Sequence, residues 1–136
     1  NSRRILIIED DWIITDLIAN IVLELGYAVS GVAGTFATAC RELNKRNFDA
    51  ALLDMGLDGL HGPEIADRLL QLKLPFGFVT GYDSPFEERH AMVPLLHKPF
   101  TAMELEELLE KLIGPARGWR ESIGARESSL PTDNFR

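Results

Sequence analysis

The stretch RRILIIEDDWII, residues 3–14, decides how this chain is read. Four consecutive aliphatics, Ile5 to Ile8, run directly into three consecutive carboxylates, Glu9, Asp10 and Asp11, and the chain turns apolar again at Trp12. A short aliphatic run without polar alternation is the pattern of a strand buried on both faces, as in a parallel sheet covered by helices above and below. Three like charges at the end of such a strand repel one another. Their carboxyl pKa values rise unless a cation sits among them.

Working outward, β-rich runs recur at Arg4 to Ile8, Ala28 to Ala33, Asp49 to Asp54, Phe76 to Thr80 and Pro94 to Leu96, each separated by a longer helical pattern. This alternation predicts parallel βα units. The first helix, Trp12 to Leu25, carries Asp16, Asn20 and Glu24 on one stripe among aliphatics, so a mostly buried helix with a thin wet face is expected, stopped by Gly26. The second, Thr35 to Arg46, turns Phe36, Ala39, Cys40 and Leu43 inward, with Cys40 as a small buried filler. The third spans Pro63 to Leu72, with proline in its first turn. Ser84 to Ala91 is short and polar, a weak fourth candidate. The fifth, Thr101 to Ile113, has Thr101 as cap, Glu104 three residues on, and Leu105, Leu108, Leu109 and Leu112 at helical spacing.

At 136 residues the chain fits one domain with a real core. With 14 basic and 21 acidic side chains, net −7, its field disfavours nucleic acid and anionic membrane. One cysteine excludes an internal disulfide and a cysteine-built zinc site, and suits a reducing cytoplasm. Neither a membrane-spanning run nor a signal peptide is evident. From Gly114 onward the sequence loses apolar periodicity and fills with Gly, Pro, Ser and Arg. Residues 114–136 are read as a tail, flexible or docked through Trp119, with no output domain.

Functional residues of a parallel sheet gather beyond the carboxyl ends of its strands. Those ends carry Glu9, Asp10 and Asp11, then Asp54, then Thr80, then Lys98. Mg²⁺ takes oxygen ligands and uses one or two carboxylates with substrate phosphate oxygens. Asp54 is placed as a nucleophile, because carboxylates form acyl-phosphate intermediates. A transferring phosphoryl group needs positive charge and donors around its oxygens, which Lys98 and Thr80 offer.

With this acidic cluster, Asp54, Thr80 and the Lys-Pro-Phe at 98–100 in this order, the chain resembles the receiver domains of two-component response regulators over about residues 4–113. The resemblance implies a doubly wound, flavodoxin- or CheY-like sheet of five parallel strands in the order 2-1-3-4-5, and a receiver domain over residues 1–113. It implies phosphorylation of Asp54 by a sensor histidine kinase or phosphotransfer protein, switching protein–protein interactions. In that scheme Glu9, Asp10, Asp54 and the backbone carbonyl of Gly56 hold Mg²⁺, and Asp11 helps through water. Thr80 and Lys98 bind the phosphoryl oxygens, and Pro99 is the cis-proline that aims the lysine. Such a domain is a phosphoacceptor that assists its own phosphorylation and dephosphorylation, not an enzyme with a separate substrate.

Several features depart from the family pattern. Leu95 stands three before the lysine, where receivers carry Tyr or Phe, so a swinging phenol is excluded. Thr80 and Lys98 are only 18 residues apart, which predicts a short or irregular fourth helix. LPFGFVTGYD, residues 74–83, resembles the single-domain alphaproteobacterial receivers sometimes called the FATGUY family, with Val79 in place of alanine. Gly81 is expected to leave the phosphoryl site open to water. Tyr82 either replaces the missing aromatic in signalling or lies on the surface.

Less eventful readings stand beside these. His61, His90 and His97 show no metal-ligand spacing and are expected to be exposed. Trp12 is read as core or lid, Asp58 as part of a solvated loop, and Asp49 as structural. A haloacid-dehalogenase-like phosphatase would need an acid two residues after its nucleophile, where this chain has Gly56. The remaining alternatives are a phosphorylation-independent interaction module on a receiver fold and a receiver fragment of a larger multidomain regulator or hybrid kinase. The face around Leu95 leads us to expect a monomer or weak dimer.

Overall fold

The computed structural model describes residues 2–116. Five strands, β1 Arg4–Ile8, β2 Ala28–Ala33, β3 Ala50–Leu53, β4 Phe76–Thr80 and β5 Leu95–His97, form one parallel sheet in the order β2-β1-β3-β4-β5. Four α-helices connect and cover it: α1 Trp12–Glu24, α2 Phe36–Lys45, α3 Gly62–Leu72 and α4 Ala102–Ile113. This is the expected doubly wound fold. The Trp119 docking expectation lies outside the described residues.

Successive residues of β1 and β3 point to opposite faces, and both faces are dry. Leu6, Ile8, Ala51 and Leu53 pack with Ala39, Leu43, Ile65 and Leu69 of α2 and α3. Ile5, Ile7, Ala50 and Leu52 pack with Ile18, Val22, Leu105 and Leu109 of α1 and α4. Ile5 to Ile8 are all fully buried, which is why the run shows no polar alternation. After α4, Ala116 accepts a hydrogen bond from the Arg3 amide and Gly114 from the Tyr27 hydroxyl.

Helix starts follow local chemistry. Thr101 and Glu104 form the expected reciprocal cap on α4, and Thr35 and Thr38 form another on α2. Pro63 occupies the first turn of α3. The helix begins one residue earlier, at Gly62, which lies against the backbone of Met55: a Cβ there would sit 2.2 Å from the Met55 carbonyl oxygen.

The structure corrects four expectations. Helix α1 is not mostly buried: only Thr15, Ile18 and Val22 are buried, while Trp12, Ile13, Leu17 and Leu23 are exposed. A helix lying on a sheet buries one stripe, so aliphatics outside that stripe stay wet. Trp12, 72% exposed, is not a core residue. Cys40 is only half-buried, at the edge of the α2 packing face. The fourth helical candidate shrinks to one 3₁₀ turn, Glu88–His90, as the short interval before Lys98 predicts. His90 in that turn is 1% exposed, not a surface residue, because Asp67 on α3 receives its ring nitrogen at 2.8 Å.

Candidate phosphoacceptor site

At the end of β1 the three acids have different surroundings. Glu9 is buried, and its two carboxylate oxygens accept from the Lys98 ammonium at 2.8 Å and from the Asp11 amide at 3.0 Å. Burial pushes the Glu9 carboxyl above its ordinary range; the Lys98 and Asp11 hydrogen bonds draw it back, and the charge of Asp54 pushes it up again. Asp10 is exposed at the rim. Asp11 is the N-cap of α1, its side chain accepting from the Ile13 amide at 3.0 Å.

The neighbouring strands complete the arrangement. The Asp54 amide donates to the Ile8 carbonyl, so Asp54 emerges beside Glu9. Carboxylate oxygens of Glu9, Asp10 and Asp54 lie within 4.8 Å of one another. That donor set is hard oxygen, one member is buried, and the single Lys98 ammonium on Glu9 offsets only one of its three negative charges, so these residues fit a divalent ion such as Mg²⁺. Asp11, committed to capping, is outside the group. The Gly56 amide donates to Asp54 Oδ1 at 3.2 Å. Thr80, fully buried at the end of β4, accepts from the Tyr82 amide at 3.3 Å through its hydroxyl oxygen. The Lys98 amide donates to the Thr80 carbonyl at 2.7 Å, and the Lys98–Pro99 peptide is cis. Candidates spread over 90 residues of sequence thus meet at one edge of the sheet.

Asp58 is more than solvated loop. It is exposed, yet its amide donates to Asp10 Oδ2 at 3.1 Å and its carboxylate accepts from the Phe36 amide at 3.0 Å. The Asp-Gly pair at 58–59 was the available signal, because both residues tolerate the left-handed backbone they adopt here. Asp49 is structural as expected, holding the Arg4 amide at 2.7 Å. His61 and His97 are exposed. Tyr82 is half-exposed and packs edge-on against Phe86, on the surface. Gly81 is exposed, with open space where a side chain would be.

The chain matches the family model of the response regulator receiver domain over residues 5–110. It is 32% identical to the chemotaxis protein CheY of Pseudomonas aeruginosa over 124 residues, 85% of this chain and 99% of that protein. Its structure is similar to the receiver domain of the Erythrobacter litoralis response regulator PhyR, with a TM-score of 0.75 and 26% identity, covering 88% of this chain and 95% of that one. It is also similar to the receiver domain of the sensor histidine kinase PA1611 from P. aeruginosa, with a TM-score of 0.73 and 25% identity over 84% of this chain and 99% of the other. The PA1611 domain carries a magnesium ion coordinated in its active-site cleft. A five-strand sheet in the order 2-1-3-4-5 with carboxylates gathered at its strand ends is thus joined to a family match over most of its length, and the chain belongs to the response regulator receiver domains.

Proposed function

We propose that this receiver takes a phosphoryl group onto Asp54 from a sensor histidine kinase or phosphotransfer protein and switches a protein–protein interaction by doing so. The observation that carries the reading is the convergence of Glu9, Asp10 and Asp54 within 4.8 Å, with the Lys98 ammonium 2.8 Å from Glu9. An Asp54 carboxylate oxygen forms the new bond to phosphorus while the P–N bond to the donor imidazole breaks, its electron pair returning to the ring. Lys98 supplies positive charge to the phosphoryl oxygens. Thr80 offers its hydroxyl as a hydrogen-bond donor to the same oxygens while its own oxygen accepts from the Tyr82 amide. Glu9, Asp10, Asp54 and the Gly56 carbonyl would hold Mg²⁺, which when bound neutralises charge on the transferring group. Asp11 serves as the helix cap.

The resemblance of residues 74–83 to stand-alone receivers supports a regulator that acts through partner proteins, and the face around Leu95 supports a monomer or weak dimer. No helix among the described residues is long and apolar enough to cross a membrane.

Incubation with a small phosphodonor and Mg²⁺, read by intact mass, tests the reading. Wild type should gain one phosphoryl group and Asp54→Asn none. Labelling of neither folded protein would favour the phosphorylation-independent interaction module instead.

A further inference from the structure

We infer that Asp58 is a positioning residue for the acidic site: its backbone holds Asp10, and its side chain ties that hold to the start of α2. The inference rests on reading Glu9, Asp10 and Asp54 as the Mg²⁺ site.

Asp10 is the exposed member of the cluster, whereas Glu9 is buried and Asp54 half-buried. An exposed carboxylate samples several rotamers, and a cation must then order it at an entropic cost. The Asp58 amide restricts it by donating to Oδ2 at 3.1 Å, leaving Oδ1 for a cation. That amide is useful only while the loop holds still, and residue 58 sits at a φ of 50°, beside Gly59 at 87°. Few residues other than Gly, Asn and Asp adopt this region readily. A proline at position 58 would have neither the donor nor the angle.

The Asp58 side chain supplies the anchor. Its Oδ2 accepts from the Phe36 amide at 3.0 Å, at the first residue of α2. Amides of a first helical turn lack partners within the helix; here Thr35 takes that of Thr38 and Asp58 takes that of Phe36. Phe36 is itself held, its ring 5.1 Å from that of His61 and under the Arg68 guanidinium at 5.6 Å. The chain of contacts therefore runs from the acidic site through one residue to a helix end packed on the core.

Three variants of the full chain separate this tether from charge and from fold, with Mg²⁺ alone titrated calorimetrically and a thermal melt run alongside. Asp58→Gly keeps the amide and accepts the positive φ but removes the anchor; Mg²⁺ affinity should fall about three- to tenfold with the melt little changed. Asp58→Asn keeps an acceptor for the Phe36 amide without the charge, and should bind within about twofold of wild type. Unchanged affinity in Asp58→Gly overturns the inference. Equal weakening in Asp58→Asn also overturns it, by assigning the effect to charge. If wild type itself binds no Mg²⁺ while Asp10→Asn behaves identically, the reading of the site falls, and the inference with it.

Discussion

Removing Asp67 should destabilise this receiver well beyond the loss of a surface ion pair. The Asp67 carboxylate on α3 accepts from Arg89 Nε at 3.0 Å, from an Arg89 terminal nitrogen at 2.8 Å and from His90 Nε2 at 2.8 Å. His90 is 1% exposed, its ring 6.0 Å from that of Phe78, and its Nδ1 has no hydrogen-bond partner. Asp67→Ala would newly orphan Nε2 as well in a buried place, at about 1–3 kcal/mol. The Arg89 and His90 hydrogen bonds hold the Asp67 carboxyl down at about 2. At 39% side-chain exposure that depression is screened, and we assign it under about 1 kcal/mol.

The total, roughly 1–4 kcal/mol, should lower the urea midpoint by about 0.5–2 M for an m-value of roughly 2 kcal/mol/M. The folded pKa lies below the ordinary value of 3.8, so the ionised carboxylate's contribution is full above pH 3.8 and is lost as pH falls toward 2. The gap between wild type and Asp67→Ala should narrow over that window. Arg89→Ala, which removes only the exposed partner, should shift the midpoint far less. Adding His90→Leu to Asp67→Ala should recover much of the loss, because an apolar side chain needs no acceptor. A Asp67→Ala protein no weaker than Arg89→Ala, or a double variant no better than the single one, would refute the reasoning.

Gly62→Ala should cost roughly 2 kcal/mol or more in thermal or urea unfolding, because its Cβ meets Met55 backbone at 2.2 Å and the loop after Asp54 must shift. Labelling at Asp54 should fall in the same variant. Gly81→Ala meets only open space and should melt like wild type, yet slow the decay of the phosphorylated form followed by mass; an unchanged lifetime would show that Gly81 does not set water access. Thr101→Ala breaks the reciprocal cap on α4 and should cost about 1 kcal/mol, with Thr101→Ser restoring most of it in the same denaturation assay.

Strand positions and the strand-end candidates were legible in the sequence because each rests on local or one-dimensional information, whereas the sheet order followed only from the resemblance to receiver domains. Ile5 to Ile8 read as the body of a buried strand and Asp49 to Asp54 as the third strand from composition alone, and in a parallel sheet every strand delivers its last residue to the same end. Glu9, Asp54, Thr80 and Lys98 could thus be grouped before any distance was known. The shortened stretch between Thr80 and Lys98 likewise announced that the fourth helix would be short or irregular.

What only the tertiary structure decided are matters of exposure and partnership. The aliphatics of α1 look equally able to be buried, but one sheet face shared with α4 admits a single stripe, so Trp12, Ile13, Leu17 and Leu23 stay outside. His90 is polar in a polar stretch, and nothing nearby in the sequence reveals that Asp67, 23 residues earlier, meets its ring when α3 packs beside the turn. Asp58 reads as loop until folding brings both Asp10, 48 residues before it, and Phe36, 22 residues before it, within hydrogen-bond reach. The three acids that open the chain show the same division. Their presence at a strand end followed from the sequence, whereas burial beside Lys98 made Glu9 the neutralised partner, exposure left Asp10 to be held by Asp58, and the geometry of the first turn of α1 made Asp11 a cap.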